Sequence, residues 1–292
     1  MASVEDRYTL EFTQNNWNGE NVYMEDRIVI LNDISYASTL LTGNCCLAFV
    51  CDGHGGDEAA DFLTNNFPRT LKETFELMPE VSPDKVLVAA FETLKRRWNN
   101  PKSGSTFNGI LADLGNGNVW LFNIGDSRTC VYTTDAVHRE ICTPFHNLEN
   151  KDELERYEKN SDFKRGVCGI ADWSGKPYIS SPGGDLAMTR SFGDLKYNPC
   201  VFRTLDVKFY PNLLADTGMF IIATDGYYDI YDYVKASKIK IDREWAVKFD
   251  DTLELAIEGY KNAADLIQLV KSSTRSTRPW DNTSILIIRN IR

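Results

Sequence analysis

Basic residues, histidines and long apolar runs are scarce in this 292-residue chain, and each shortage removes a class of function. Lysine and arginine together number 32 against 42 aspartates and glutamates, a formal net charge of −10. Nucleic-acid binding as the main task needs a basic face, which this balance does not supply. No apolar run approaches the roughly 20 residues that span a bilayer, so no membrane role is expected. Three histidines, and seven cysteines without a C-x-x-C pair, leave no zinc site to read. The odd cysteine count, with Cys45 beside Cys46, shows no disulfide framework either. Reduced thiols in an intracellular compartment, cytoplasmic or nuclear, are expected. The opening residues, Met1-Ala2-Ser3-Val4-Glu5-Asp6-Arg7, are polar and carry no signal-peptide core. No internal repeat, low-complexity tract or linker divides the chain, and one domain over residues 1–292 is expected.

What is present is a series of short apolar runs with the composition of strands: Arg27–Leu31, Leu47–Cys51, Phe107–Leu114, Asn118–Ile124, Thr129–Thr133, Met219–Thr224 and Ser284–Arg289. Leu114-Gly115-Asn116-Gly117-Asn118 is a hairpin signal between two of them. Helical periodicity marks Asp57–Phe75, Pro83–Trp98 and Thr252–Lys271, with a shorter charged candidate at Lys151–Lys159. Hairpins with separate long helices indicate an α+β layered domain rather than a βαβ repeat. Asp162–Gly184 reads as an irregular surface loop and Lys235–Asp251 as a charged insertion.

The chemistry lies where these runs end. Five acidic clusters sit at their edges: Glu25-Asp26, Asp52-Gly53, Gly125-Asp126, Asp225 through Asp229, and Asp281-Asn282. Carboxylates gathered near strand ends repel one another unless a cation lies among them. One such acid is ordinary turn chemistry; five make an oxygen-ligated Mg²⁺ or Mn²⁺ site the natural inference. In the run Asp52-Gly53-His54-Gly55-Gly56, glycine lets the backbone approach a ligand closely and frees a carbonyl as a further oxygen donor.

The same motifs carry a family resemblance. In order, they are Met24-Glu25-Asp26, Asp52 through Gly56, Ser103-Gly104-Ser105-Thr106, Asn123 through Arg128, Leu186 through Asp194, Ala223 through Asp229, and Asp281-Asn282-Thr283-Ser284. The chain resembles the metal-dependent protein serine/threonine phosphatases of the PP2C (PPM) family over nearly its whole length. The resemblance implies a four-layer α-β-β-α sandwich of two antiparallel sheets flanked by helices, with metals in a cleft at one edge. It implies that Asp52 bridges two ions, that the Gly53 carbonyl, Asp225 and Asp281 are further direct ligands, and that Glu25 and Asp26 act through metal-bound waters. Asp126 and Asp229, with Asp225, correspond to a third, weaker metal position. His54 is placed to protonate the leaving alkoxide as general acid. Phosphorylated proteins are the implied partners, a monomer the family default, and residues 162–184 fall where the family has a variable flap. Trp173 and Tyr178 there either touch a substrate protein or pin the loop to the body.

Two positions depart from the family pattern. The arginine that grips substrate phosphate is replaced by Asn21, which has neither charge nor a bidentate fork. Phe145 stands where an aspartate precedes the histidine, leaving His146 as a structural residue. Arg27 faces away from Asp26 by strand alternation, and Arg128 and Arg190 are expected to pair with acids in the scaffold. The expected function is therefore hydrolysis of phosphoserine and phosphothreonine with weakened phosphate binding. The alternative is a pseudophosphatase, a phosphoprotein-binding or scaffold module on the same fold.

Overall fold

Every residue of Cys45–Cys51 is buried in the computed structural model, as a strand covered on both faces must be. The structure describes residues 7–19, 21–134, 140–173, 176–229, 261–273 and 281–291. Ten strands form two five-stranded antiparallel sheets. The first runs in the order β1 (Thr9–Trp17), β16 (Thr283–Ile291), β15 (Thr217–Ala223), β8 (Arg128–Thr133) and β9 (Glu140–Cys142). The second runs β14 (Asp206–Tyr210), β7 (Val119–Ile124), β6 (Phe107–Asp113), β3 (Cys45–Cys51) and β2 (Arg27–Ile34).

Strand alternation sorts the side chains into layers. Cys46, Ala48 and Val50 of β3 join Ile110, Phe220, Ile222, Leu286 and Ile288 in the core between the sheets. The intervening residues Leu47 and Phe49 face outward and are covered by α1 (Glu58–Leu77) and α2 (Pro83–Arg97), through Leu63, Phe67, Leu71 and Phe91. On the opposite side Ile221, Ile285 and Ile287 are covered by the last helix, Ala263–Ser273, through Leu266, Ile267 and Val270. The result is the expected α-β-β-α stack. Phe49, Phe67, Phe107 and Phe122 pack with ring centroids 4.6 to 6.4 Å apart, and each buried phenyl contributes about 1.5–3 kcal/mol.

Two smaller sheets complete the frame. Short strands β4 (Gly53–His54), β5 (Gly104–Ser105) and β13 (Phe192–Gly193) pair at the end of the sandwich, with β5 central. Residues expected to form an irregular loop are instead an antiparallel sheet of β10 (Gly169–Trp173), β11 (Lys176–Ser181) and β12 (Gly184–Leu186). Its pairing is local, and its mixed polar composition hides the alternation that would announce it. It packs with α3 (Lys151–Lys159) around a core of Tyr157, Ile179 and Leu186. Beneath it Arg190, fully buried, forks onto Glu153 through Nε at 2.9 Å and Nη2 at 2.5 Å and reaches Asp206 at 2.7 Å.

The expectation of unpaired thiols is corrected. Cys130 and Cys142, opposite each other in the β8–β9 ladder, form a disulfide, and Cys168 bonds Cys200. Neither pair shares a short sequence motif; the ladder register brings the first together, and the fold of the segment holding β10 to β12 brings the second together. The strand β1 is absent from the sequence expectations: its outward positions are polar and, among the described residues, it pairs only with β16. The expected helix Thr252–Lys271 is observed as Ala263–Ser273, its earlier part and the charged stretch Lys235–Asp251 lying outside the described residues. Among the described residues no helix is long and apolar enough to cross a membrane.

Candidate active site

Strand register brings the sequence-predicted acids to one edge of the sandwich. Arg27 of β2 faces Cys51 of β3, so Asp26 and Asp52 follow as the next facing positions. Ala223 of β15 faces both Arg128 of β8 and Ile285 of β16, so Asp126, Asp225 and the residues at Asp281 emerge at that same end. Asp229 follows one turn after Asp225 in the helical residues 225–229. Thr224 fastens the two sheets together here: its hydroxyl donates to Asp26 Oδ2 at 3.0 Å and accepts from the Ser284 N–H at 2.9 Å. The Glu25 N–H donates to Asn282 Oδ1 at 2.7 Å, and the Gly56 N–H donates to Glu25 Oε1 at 3.1 Å. Glu25 and Gly53 touch so closely that a Cβ on Gly53 would lie 2.7 Å from the Glu25 carbonyl oxygen.

These carboxylates are poorly provided for by the protein alone. Asp26 is 2% and Asp126 6% exposed. Burial pushes the Asp26 carboxyl up to about 7 although the Thr224 hydroxyl favours its charged form. Burial, and then the charge of Asp229, push Asp126 up to about 6. Asp52 is raised well above the usual range by burial and by Asp26, Asp225, Asp281 and Asp126; Asp225 is raised by burial and by Asp126, Asp229 and Asp281. Glu25 is raised by its partial burial. Asp26 Oδ1, Asp126 Oδ1 and Asp225 Oδ1 are buried with no hydrogen-bond partner among the described residues. A set of like charges, all oxygen, with unmet lone pairs fits a hard divalent cation and little else.

His54 stands beside this cluster on β4. Its Nε2 lies 2.6 Å from Asp194 Oδ2, and the Ser191 hydroxyl donates to the same oxygen at 2.5 Å. The small three-stranded sheet creates the contact, since His54 faces Gly104 of β5, which faces Gly193, the residue before Asp194. Gly104 must be glycine: a Cβ there would lie 2.3 Å from Asp194 Oδ2 and 2.4 Å from His54 Nε2. Burial draws the imidazole pKa down, but the Asp194 bond and the surrounding negative charge outweigh it and leave His54 raised. Its Nδ1 is buried and meets no partner among the described residues. Asp194 is a site residue that sequence reading missed. It lies inside a quoted motif, but its partner is 140 residues away.

Other predicted positions are distributed as follows. Asn21 is exposed and its Nδ2 donates to Asp281 Oδ1 at 2.8 Å, so one of its two amide hydrogens is committed to an acid of the cluster. Arg27 bonds Asp57 at 2.7 Å and Asp61 at 2.6 Å at the start of α1, directed away from the cleft. Arg128 lies with its guanidinium 3.4 Å from the centroid of the Phe145 ring, the aromatic face standing where the family pattern has an aspartate. His146 is fully buried and accepts from the Gly125 N–H at 3.2 Å, a structural role. Trp173 is 58% exposed while its indole N–H donates to Asp185 Oδ2 at 2.8 Å, within the flap. Lys176 of the flap forms an ion pair with Asp229 at 2.8 Å, a contact sequence gave no reason to expect.

Comparison with known proteins bears on the family and the fold. The family model described as "Protein phosphatase 2C" matches residues 10–264. A relative from Oryza sativa subsp. japonica named "Probable protein phosphatase 2C member 13, mitochondrial" is 29% identical over 229 residues, 75% of this chain and 56% of its own length. "Probable protein phosphatase 2C 76" of Arabidopsis thaliana is 28% identical over 201 residues, 66% of this chain and 44% of its own length. The chain thus spans about half the length of these two curated relatives. The crystal structure of serine-threonine phosphatase 2C from Toxoplasma gondii superposes with a TM-score of 0.71 at 16% identity, covering 97% of this chain and 95% of that one. At that identity it shows a shared fold.

Proposed function

The chain belongs to the protein phosphatase 2C family, and on that premise we propose that it hydrolyses phosphoserine and phosphothreonine in proteins with Mn²⁺ or Mg²⁺ as cofactor. The observation that carries the reading is the buried, unmet oxygens of Asp26, Asp126 and Asp225. A binding module gains nothing from holding so many like charges together, whereas a site built to receive cations requires it. Asp52, the Gly53 carbonyl, Asp225 and Asp281 are the residues that would hold two ions directly, with Glu25 and Asp26 acting through waters. Asp126 and Asp229 would complete a weaker third position with Asp225. When bound, such ions neutralise phosphate charge and lower the pKa of a water for in-line attack at phosphorus.

The protein's own groups supply the rest. Asp194 fixes the His54 ring through Nε2, which leaves Nδ1 as the atom that delivers a proton to the departing serine or threonine oxygen. Ser191 and the missing side chain at Gly104 hold Asp194 in position for this. Asn21 meets the substrate phosphate with neutral hydrogen bonds at best. Such bonds are roughly half as strong as charge-assisted ones, so ground-state binding is weak while the proton-transfer machinery is intact.

Release of phosphate from p-nitrophenyl phosphate tests the reading. Turnover should appear with Mn²⁺, vanish on chelation and be absent in Asp225→Ala. Mn²⁺ binding without any turnover would leave the fold as a scaffold, the reading that Asn21 and Phe145 favour.

A further inference from the structure

We propose that Lys176, at the tip of the β10–β11 hairpin, is a resident counter-cation of the outer acidic pocket formed by Asp126, Asp225 and Asp229, so that a further divalent ion enters there only by displacing its ammonium group. The proposal rests on the metal-centre reading above.

Three observations converge on it. The Lys176 Nζ lies 2.8 Å from Asp229 Oδ2, and Glu149 and Asp225 also act on its charge. The charge of Asp229 in turn acts on both Asp126 and Asp225, so the ammonium sits on the acid that couples to the other two. Independently, Asp126 Oδ1 and Asp225 Oδ1 are buried without a partner among the described residues, so the pocket still lacks positive charge on its inner side. An ammonium group donates hydrogen bonds from a single point and reaches only the outer acid; a divalent ion coordinates several oxygens at once. The two cations therefore compete for Asp229.

The competition is coupled to the flap. Lys176 pairs with Trp173 across the hairpin, and Trp173 is braced through its indole N–H to Asp185 of β12. The ion pair is the flap's tie to the helical residues 225–229. Its side chains are 41% and 54% exposed, loose enough for the lysine to leave when Asp229 is taken by metal. Arg27 is held by Asp57 and Asp61, and Arg190 by Glu153 and Asp206. Filling the outer site and releasing the flap tip are then one event.

The test titrates Mn²⁺ alone into the metal-free protein, reading free Mn²⁺ by electron paramagnetic resonance, for the native chain, Lys176→Met and Lys176→Arg. The tighter sites should be unchanged. The weakest site should bind about threefold to fivefold more tightly in Lys176→Met, the size expected for removing a half-exposed ion pair. Lys176→Arg should behave as the native chain. Hydrogen exchange in the hairpin is the second readout. It should rise in the native protein at Mn²⁺ concentrations that fill the weakest site, and be high without metal in Lys176→Met. An unchanged weakest site in Lys176→Met, with the tighter sites filled, overturns the role of Lys176 and leaves the metal centre standing. Absence of Mn²⁺ binding in all three proteins overturns the metal-centre reading, and this proposal with it.

Discussion

Stripped of divalent ions, the protein should become less stable as pH rises from 6 to 8, the reverse of common acid denaturation. The Asp26 carboxyl is pushed up to about 7 in the folded state by burial, against an unfolded value of about 3.9. Between those values the folded state binds more protons than the unfolded one, so stability is lost as pH rises through the window. For a single group at about 7 the loss from pH 6 to pH 8 is roughly 1.4 kcal/mol, or about RT ln 10. At about 2–4 °C per kcal/mol for a large domain, the melting temperature should fall by roughly 3–6 °C over that interval. Asp52, Asp126 and Asp225, all raised, add in the same direction. His54, also raised, adds stability at low pH that disappears as pH climbs through its folded pKa. Burial alone would lift Asp206, but His146 and Arg190 outweigh it and hold it low; that contribution is lost only below about pH 4, outside the window. Thermal melting followed by circular dichroism in chelator at pH 6, 7 and 8 measures the effect. Asp26→Asn should flatten the trend, and saturating Mn²⁺ should reverse it, because protons then compete with the ion. A melting temperature in chelator that is level or rises towards pH 8 would refute the argument that these acids are buried together without compensation.

Two further outcomes concern the substrate. His54→Gln and Asp194→Asn should each lower kcat on a phosphothreonine peptide by about 10²–10⁴-fold. Both should lose far less on p-nitrophenyl phosphate, whose leaving phenolate needs little protonation; equal losses on the two substrates would remove His54 from the acid role. Asn21→Arg should lower KM about fivefold, the effect of replacing a neutral hydrogen bond to phosphate by a charged one, with a smaller change in kcat. An unaltered KM would show that position 21 does not handle phosphate.

The sandwich was legible because its central strands are unambiguous: Cys45–Cys51 and Phe107–Asp113 are buried throughout, and the Gly115–Gly117 turn that follows the latter is a strong hairpin signal. The acids were legible because each lies at a strand end, Glu25, Asp26 and Asp281 just before a strand and Asp52, Asp126 and Asp225 just after one. What escaped depends on contacts far apart in sequence. Asp194 meets His54 only because β4, β5 and β13, each two residues long, fall into register. Strands that short leave no periodic trace. The ion pair between Lys176 and Asp229 and the disulfide between Cys168 and Cys200 likewise come from how the flap folds back, which no local pattern encodes. Arg128 on Phe145 is a different case: the departure at position 145 was visible, but its consequence, a cation over an aromatic face, required the third dimension.

The proposed function is metal-dependent phosphatase activity carried by the clustered carboxylates. Its most direct test is phosphate release from a phosphothreonine peptide by the native protein and by Asp52→Ala, with Mn²⁺ binding followed calorimetrically on the same samples. Steady release by the native protein that requires Mn²⁺, and none by Asp52→Ala, is the expected result. Calorimetry that shows Mn²⁺ bound to the native protein while the peptide keeps its phosphate would contradict it.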